Sequence, residues 1–180
     1  MSIRAASWNS RKMRRTLEEV ASAFHALATS RPSEEAIALV GLKHPDGQGP
    51  TFPWQLVPIT NVRHSRSSFE ADSGEWIEGI RTLGWADYTV AICCHSHRTG
   101  YRPSPSDIRH LADPEWTERV TLTLEAMDIT APMLFLVLSE ASGRWGLYRM
   151  LPEQSHYQTL AKSQTYSTER SNSWKKNANY

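Results

Sequence analysis

Near the start of the chain, Met13, Leu17, Val20, Phe24 and Leu27 recur at the spacing of one helical stripe. Asn9 or Ser10 offers an N-cap, and Arg31-Pro32 lies just past the far end. The short apolar run Ala36 to Leu42 predicts a strand, Lys43 to Pro53 carries the glycines and prolines of a loop, and Trp54 to Val62 predicts a second strand. Asp72 with Glu75 resembles a capping box, and Trp76, Ile77, Ile80 and Leu83 form a helical face ending at Gly84. Tyr88 to Cys94 is almost wholly apolar or β-branched, the pattern of a strand buried on both faces. Asp113-Pro114-Glu115 supplies a cap, a first-turn proline and an acid at the positive end of a helix dipole. The helix it predicts uses Trp116, Val120, Leu124 and Met127, although Val120 to Leu124 also alternates as a strand would. Met133 to Leu138 and Trp145 to Met150 flank a polar loop and predict a hairpin. After Pro152 the chain turns polar and reads as a surface segment or tail. Mixed helices and strands predict an α/β or α+β class built on one sheet.

The length, 180 residues, suits a single domain with its own core and is too short for an eight-fold β/α barrel. Lys+Arg 20 against Asp+Glu 19 leaves a formal charge of +1, which argues against a dedicated nucleic-acid or anionic-membrane surface. Arg11, Lys12, Arg14 and Arg15 form a local basic cluster that reads as a solvated face, or as a site for an acidic partner. The longest apolar run, Ala131 to Leu138, is far below the ~18 residues of a membrane span. The basic start of the chain lacks a secretory apolar stretch, so the expected compartment is the cytoplasm. Cys93 and Cys94 are adjacent, poorly placed for a disulfide, and read as core residues of a protein in a reducing compartment. Trp76, Trp85, Trp116 and Trp145 fall in or beside periodic segments and are expected in the core, whereas Trp54 and Trp174 are candidates for exposed binding residues.

Chemistry concentrates in Cys94-His95-Ser96-His97 and, beyond a short loop, Ser104-Pro105-Ser106-Asp107. Residues two apart on a strand share a face, so His95 and His97 can converge on one ion. Neutral imidazoles suit zinc, and a carboxylate such as Asp107 can supply a third ligand, leaving a fourth position for water as in catalytic sites. On their own, two histidines at a strand end are more often satisfied polar residues than ligands; Ser104-x-x-Asp107 tips the balance. His110, one helical turn after Asp107, is a reserve ligand.

The string His95-Ser96-His97-x6-Ser104-x2-Asp107 resembles the motif of the JAMM (MPN+/JAB) zinc metallopeptidases, particularly the compact prokaryotic type. The loop before the serine is one residue shorter than in that family, and Arg98 stands where relatives often have proline. The stretch Pro32 to Gly41 resembles the family's upstream segment, which assigns the catalytic glutamate to Glu34, with Glu35 the rival in a neighbouring register. Asn61 and Phe69 also match residues frequent in such relatives. The likeness spans roughly Thr16 to Pro152.

The resemblance implies a single MPN/JAB domain over residues 1–155, a mixed β-sheet flanked by helices in a cytidine-deaminase-like sandwich, with a polar tail over 156–180. It implies one zinc per chain held by His95, His97 and Asp107 with a catalytic water, Glu34 as general acid–base and Ser104 as oxyanion donor. The implied substrate is a ubiquitin-like protein or its conjugate, with E1- and E2-like proteins as companions in a bacterial conjugation or antiphage-defence system. A phage tail-assembly or cell-wall peptidase, or a non-catalytic MPN scaffold, are the alternatives. No nucleic-acid or membrane partner is expected.

Overall fold

The computed structural model describes residues 8–44, 48–65, 67–129, 134–151 and 156–164. Helix α1 spans Arg11–Thr29 and starts where the Ser10 hydroxyl accepts the Met13 N–H at 3.1 Å. Its stripe of Met13, Leu17, Val20 and Phe24 is fully buried against one face of the sheet. The sheet has six strands in the order β2-β1-β3-β4-β5-β6. Their ranges are β1 Ile37–Leu42, β2 Trp54–Ile59, β3 Val90–His97, β4 Leu134–Ser139, β5 Trp145–Leu151 and β6 His156–Lys162. Every pairing is antiparallel except β3 with β4.

That parallel pair requires a crossover, and three helices supply it or flank it on the second face: α2 Ser73–Trp85, α3 Pro105–Leu111 and α4 Pro114–Ala126. Strand alternation divides the core into two layers. Ala38, Val40, Ile92, Cys94, Leu136 and Leu138 pack toward α1, whereas Leu39, Cys93, Phe135 and Val137 pack with Trp76, Ile80, Leu111 and Leu124 of the other helices. The chain therefore forms a single α+β unit whose central strands are buried on both faces, which is why they read as unbroken apolar runs.

Several expectations need adjustment. Strand β2 stops at Ile59, and the segment from Val120 to Leu124 is helical, capped by Asp113 accepting the Trp116 N–H. Asp72 caps α2, but the Glu75 carboxylate turns away from the reciprocal box and binds the N–H and hydroxyl of Thr60 at 2.7 and 2.9 Å. Trp85 is 71% exposed at the end of α2 and is not a core residue. Trp54 is half-buried against α1, its indole N–H donating to Glu19. The cysteines are free and buried. The polar segment beginning at His156 is not a tail: it pairs with β5 as the edge strand β6, and its Leu160 and Ala161 enter the core. Residues 165–180, including Trp174, lie outside the described residues, as do the N-terminal seven residues and Ala131 to Met133. Among the described residues, no helix is long and apolar enough to cross a membrane.

If β6 is part of the folded unit, Leu160→Ala leaves a cavity and lowers unfolding free energy by about 2 kcal/mol, the lower end for buried leucine truncation. Urea denaturation measures this; an unchanged midpoint would return the segment to the role of a tail.

Candidate metal centre and active site

The carboxyl end of β3 carries both histidines. His95 is 1% exposed and His97 half-buried, and their Nε2 atoms stand 3.1 Å apart. Asp107 Oδ2 lies 3.1 Å from His97 Nε2 and 3.3 Å from His95 Nε2. A tetrahedral zinc with bonds of ~2.0–2.1 Å has ligand–ligand edges of about 3.3 Å, so the triangle has the right size for one small cation. Protons alone satisfy it poorly. If both rings donate to the carboxylate, two N–H groups face each other; if one does not, its lone pair faces the same carboxylate oxygen. A cation at the centre would accept all three lone pairs. His95, His97 and Asp107 thus form a group that could hold a metal ion, as the sequence spacing led us to expect.

Asp107 reaches this position because α3 begins beside it. Ser104 is the N-cap: its hydroxyl accepts the Asp107 N–H at 3.1 Å, and Asp107 Oδ2 accepts the Ser104 N–H at 2.6 Å. This reciprocal capping box locks the carboxylate toward the histidines. The shortened loop from Arg98 to Pro103 is held at several points. The Arg98 carbonyl accepts the Ala141 N–H, Gly100 takes a φ of +80° that favours glycine, and the Tyr148 hydroxyl donates to the Tyr101 carbonyl. Arg144 lies over the Tyr101 ring at 4.8 Å. Tyr148 was not singled out in the sequence, because only the tertiary fold brings its hydroxyl to that loop.

The two glutamates part company. Glu34 is half-buried, its carboxylate 2.9 Å from Nδ1 of the exposed His64, and is not brought to His95 and His97. Glu35 is 8% exposed and lines the same cavity as His97, Ser104 and Asp107. The β1–β3 register explains the choice. Ile37 stands opposite His95, so two steps back along β1 and two steps on along β3 place Glu35 and His97 on one face at one end of the sheet. Of the two registers open to the upstream segment, the structure therefore brings Glu35, and not Glu34, to the cavity. Three hydrogen bonds hold the Glu35 backbone region: its N–H donates to the Ser65 carbonyl at 2.8 Å, its carbonyl accepts the Asn61 amide at 3.1 Å, and the next N–H, of Ala36, is also engaged.

Asn61 is buried and also organises the loop that walls the site. Its Oδ1 accepts the N–H groups of Arg63 and Glu70, and its amide nitrogen reaches the Ser68 carbonyl. That loop delivers Phe69 onto the His95 ring, with centroids 4.6 Å apart. His110 packs edge-on against Phe69 and tilted against Trp116, outside the metal triangle. Its expected reserve role is not needed to complete the triangle.

Electrostatics follow from burial and pairing. Burial pushes the Glu35 carboxyl up to about 7, with the charge of His97 opposing and those of Asp107 and Glu140 adding. Burial also lowers His95, an effect that Asp107 resists without reversing. At His97 burial acts in the same direction, but hydrogen bonding to Asp107 and the neighbouring carboxylates outweigh it, so its pKa rises. Burial alone would raise Asp107; hydrogen bonds from the histidines and the Ser104 N–H instead hold it well below the usual carboxylate range. Cys93 beneath the site is pushed up to about 12 by burial and is no thiolate nucleophile.

The site opens into a cavity of about 250 Å³ whose rim includes Ser67, Ser68, Arg98, Thr99 and Ser106. A larger groove of about 810 Å³ lies at the start of α1, away from this chemistry, where Arg11, Arg14 and Arg15 are followed one turn later by Glu18 and Glu19. The basic cluster of the first helix thus shares its groove with two acids.

Among solved structures, protein DSY2949 from Desulfitobacterium hafniense aligns with 19% identity and a TM-score of 0.48, covering 81% of this chain and 85% of its own. No protein of curated function matches the sequence. The family described as prokaryotic homologs of the JAB domain matches residues 17–148, which takes in β1, both histidines, Ser104 and Asp107. With that match covering most of its length, the chain belongs to the prokaryotic JAB-domain family.

Proposed function

We propose that this protein is a zinc-dependent peptidase or isopeptidase that cleaves after the C-terminus of a ubiquitin-like modifier. The observation that carries the reading is the convergence of a buried acid, Glu35, with His97, Ser104 and Asp107 around one cavity. Membership of the JAB family supports it, because that family includes metallopeptidases. The small hydroxyl side chains at the rim leave room for an extended tail whose backbone must approach closely, as a glycine-rich terminus can. In this reading the companions are E1- and E2-like proteins of a bacterial conjugation or antiphage-defence system, the setting that the motif's resemblance implies.

His95, His97 and Asp107 would hold the metal. When bound, zinc supplies a Lewis acid that brings the pKa of water toward ~7. Glu35 is the general base in this reading: its carboxyl is raised toward neutrality by burial, so it can take a proton from the attacking water and return it to the leaving amine. Ser104 Oγ accepts from the Asp107 N–H, and a hydroxyl can accept and donate at once, so its own proton can be aimed at the developing oxyanion. Capping and oxyanion stabilisation are therefore compatible roles for one serine.

Three outcomes are expected. Elemental analysis of purified protein gives close to one zinc per chain, and His97→Ala loses most of it; full occupancy in that variant would remove His97 from the ligand set. On fusions of candidate ubiquitin-like proteins, assayed with and without chelator, Glu35→Gln keeps the zinc and loses ~10²–10⁴-fold in kcat, while Glu34→Gln cleaves like the parent. The reverse pattern would restore Glu34. Finally, Ser104→Ala lowers kcat with little change in KM and also loses ~1 kcal/mol of stability, because the same hydroxyl caps α3. Steady-state kinetics alongside thermal melting separate the two effects, and parental kcat in a destabilised variant would leave the serine only its capping role.

A further inference from the structure

Ser96 sits between the two histidines but points to the opposite face of β3 and is fully buried. Its hydroxyl accepts the Ala36 N–H at 2.9 Å and donates to Glu140 Oε1 at 2.7 Å. The Ser96 N–H in turn donates to the Ala36 carbonyl at 3.0 Å. In a regular antiparallel pair the two residues would exchange backbone bonds in both directions. Here a side-chain hydroxyl replaces the strand carbonyl as acceptor, at the point where β1 leaves β3 and one residue after Glu35.

Glu140 is itself anchored from two sides. Its N–H donates to the His97 carbonyl at 2.8 Å, and its carbonyl pairs with His25 Nε2 of α1 at 2.8 Å. A hydrogen bond to a carboxylate is charge-assisted and stronger than one between neutral groups, so the Ser96 rotamer is well defined. The result is a strut beneath the site that runs from the end of β4 through Ser96 to the backbone that carries the acid.

We propose that Ser96, oriented by Glu140, is a positioning residue that sets the Glu35 carboxyl against His97. The proposal rests on the reading of Glu35 as general base. Without the hydroxyl, the buried Ala36 N–H loses its acceptor, and the end of β1 must shift to find water or another carbonyl. Small misplacements of a catalytic group cost large factors in rate even when binding is intact.

The test uses the full-length zinc-loaded protein and four variants: Ser96→Ala, Glu140→Ala, Glu140→Gln and Glu35→Gln. Two readouts are taken, amide hydrogen exchange at Ala36 and the division of any activity loss between kcat and KM on a ubiquitin-like fusion. In Ser96→Ala, exchange at Ala36 accelerates at least tenfold while distant β4 amides stay protected, and kcat falls ~10–100-fold, the range for loss of supporting groups around a metal site. KM and zinc stoichiometry stay near parental. Glu140→Ala follows Ser96→Ala, whereas Glu140→Gln, which retains an acceptor oxygen for the serine, recovers both protection and kcat. Parental Ala36 protection in Ser96→Ala overturns the proposal, as does lost protection with parental kcat, or Glu140→Gln behaving like Glu140→Ala. The functional reading fails separately, if the zinc-loaded parent cleaves no fusion or Glu35→Gln is fully active; Ala36 exchange still decides whether the strut exists.

Discussion

The antiparallel register of β1 on β3 is the constraint on which the site depends. With Ile37 opposite His95, each step of two residues repeats the same facing, and the ends of the two strands present an acid and an imidazole side by side. A slip of one residue would turn Glu35 toward α1 and bring Glu34 to the cavity. The register is strongly specified because both faces of these strands are buried: Ala38 and Val40 fit under α1 while Ile37 and Leu39 fit under α2. The hydrophobic cores on the two sides of the sheet therefore decide the chemistry at its end.

The site itself carries an electrostatic tension. Two imidazoles, Asp107 and Glu35 are gathered where little solvent reaches them, and burial acts against every charge in the group. Part of this is relieved locally. The capping box of α3 gives the Asp107 carboxylate an N–H from Ser104, and the histidines give it further donors. The remaining imbalance, with two imidazole nitrogens and the Asp107 carboxylate crowded at 3.1–3.3 Å, is of the kind a divalent cation resolves. A donor set that is poorly satisfied by protons and well satisfied by a metal is a physical argument for the metal that does not depend on motif likeness.

Around this centre, two loops of irregular backbone are made rigid by side chains rather than by secondary structure. Asn61 satisfies backbone groups from Glu35, Arg63, Ser68 and Glu70, so a single buried amide holds the wall that carries Phe69. On the other side, Tyr148 fastens the short loop at Tyr101, and its phenol occupies the space that a side chain at residue 146 would need, which is why Gly146 lies beneath it. Both walls are thus tied to central elements, and the cavity is shaped before any substrate arrives.

What the sequence determined by itself was carried by short-range periodicity and local capping. The α1 stripe, the Asp113 cap, the paired histidines and the Ser104-x-x-Asp107 turn are all decided within a few residues of chain, and the spacing places the ligands on one strand end and one helix start. Strand β6 was hidden because an edge strand needs only one or two apolar residues, and His156 to Lys162 supplies little more than Leu160 and Ala161. Trp85 looked like core because it follows an apolar helical face, yet its position at the helix end turns it to solvent. The choice between Glu34 and Glu35 was undecidable locally: from Ala36 to Leu42 every residue is apolar or glycine, so no alternation reveals which parity faces which helix. Only the tertiary structure decided which of the two faces the cavity, because the facing of a doubly buried strand is set by the shapes of the two layers packed on it, not by the strand's own pattern.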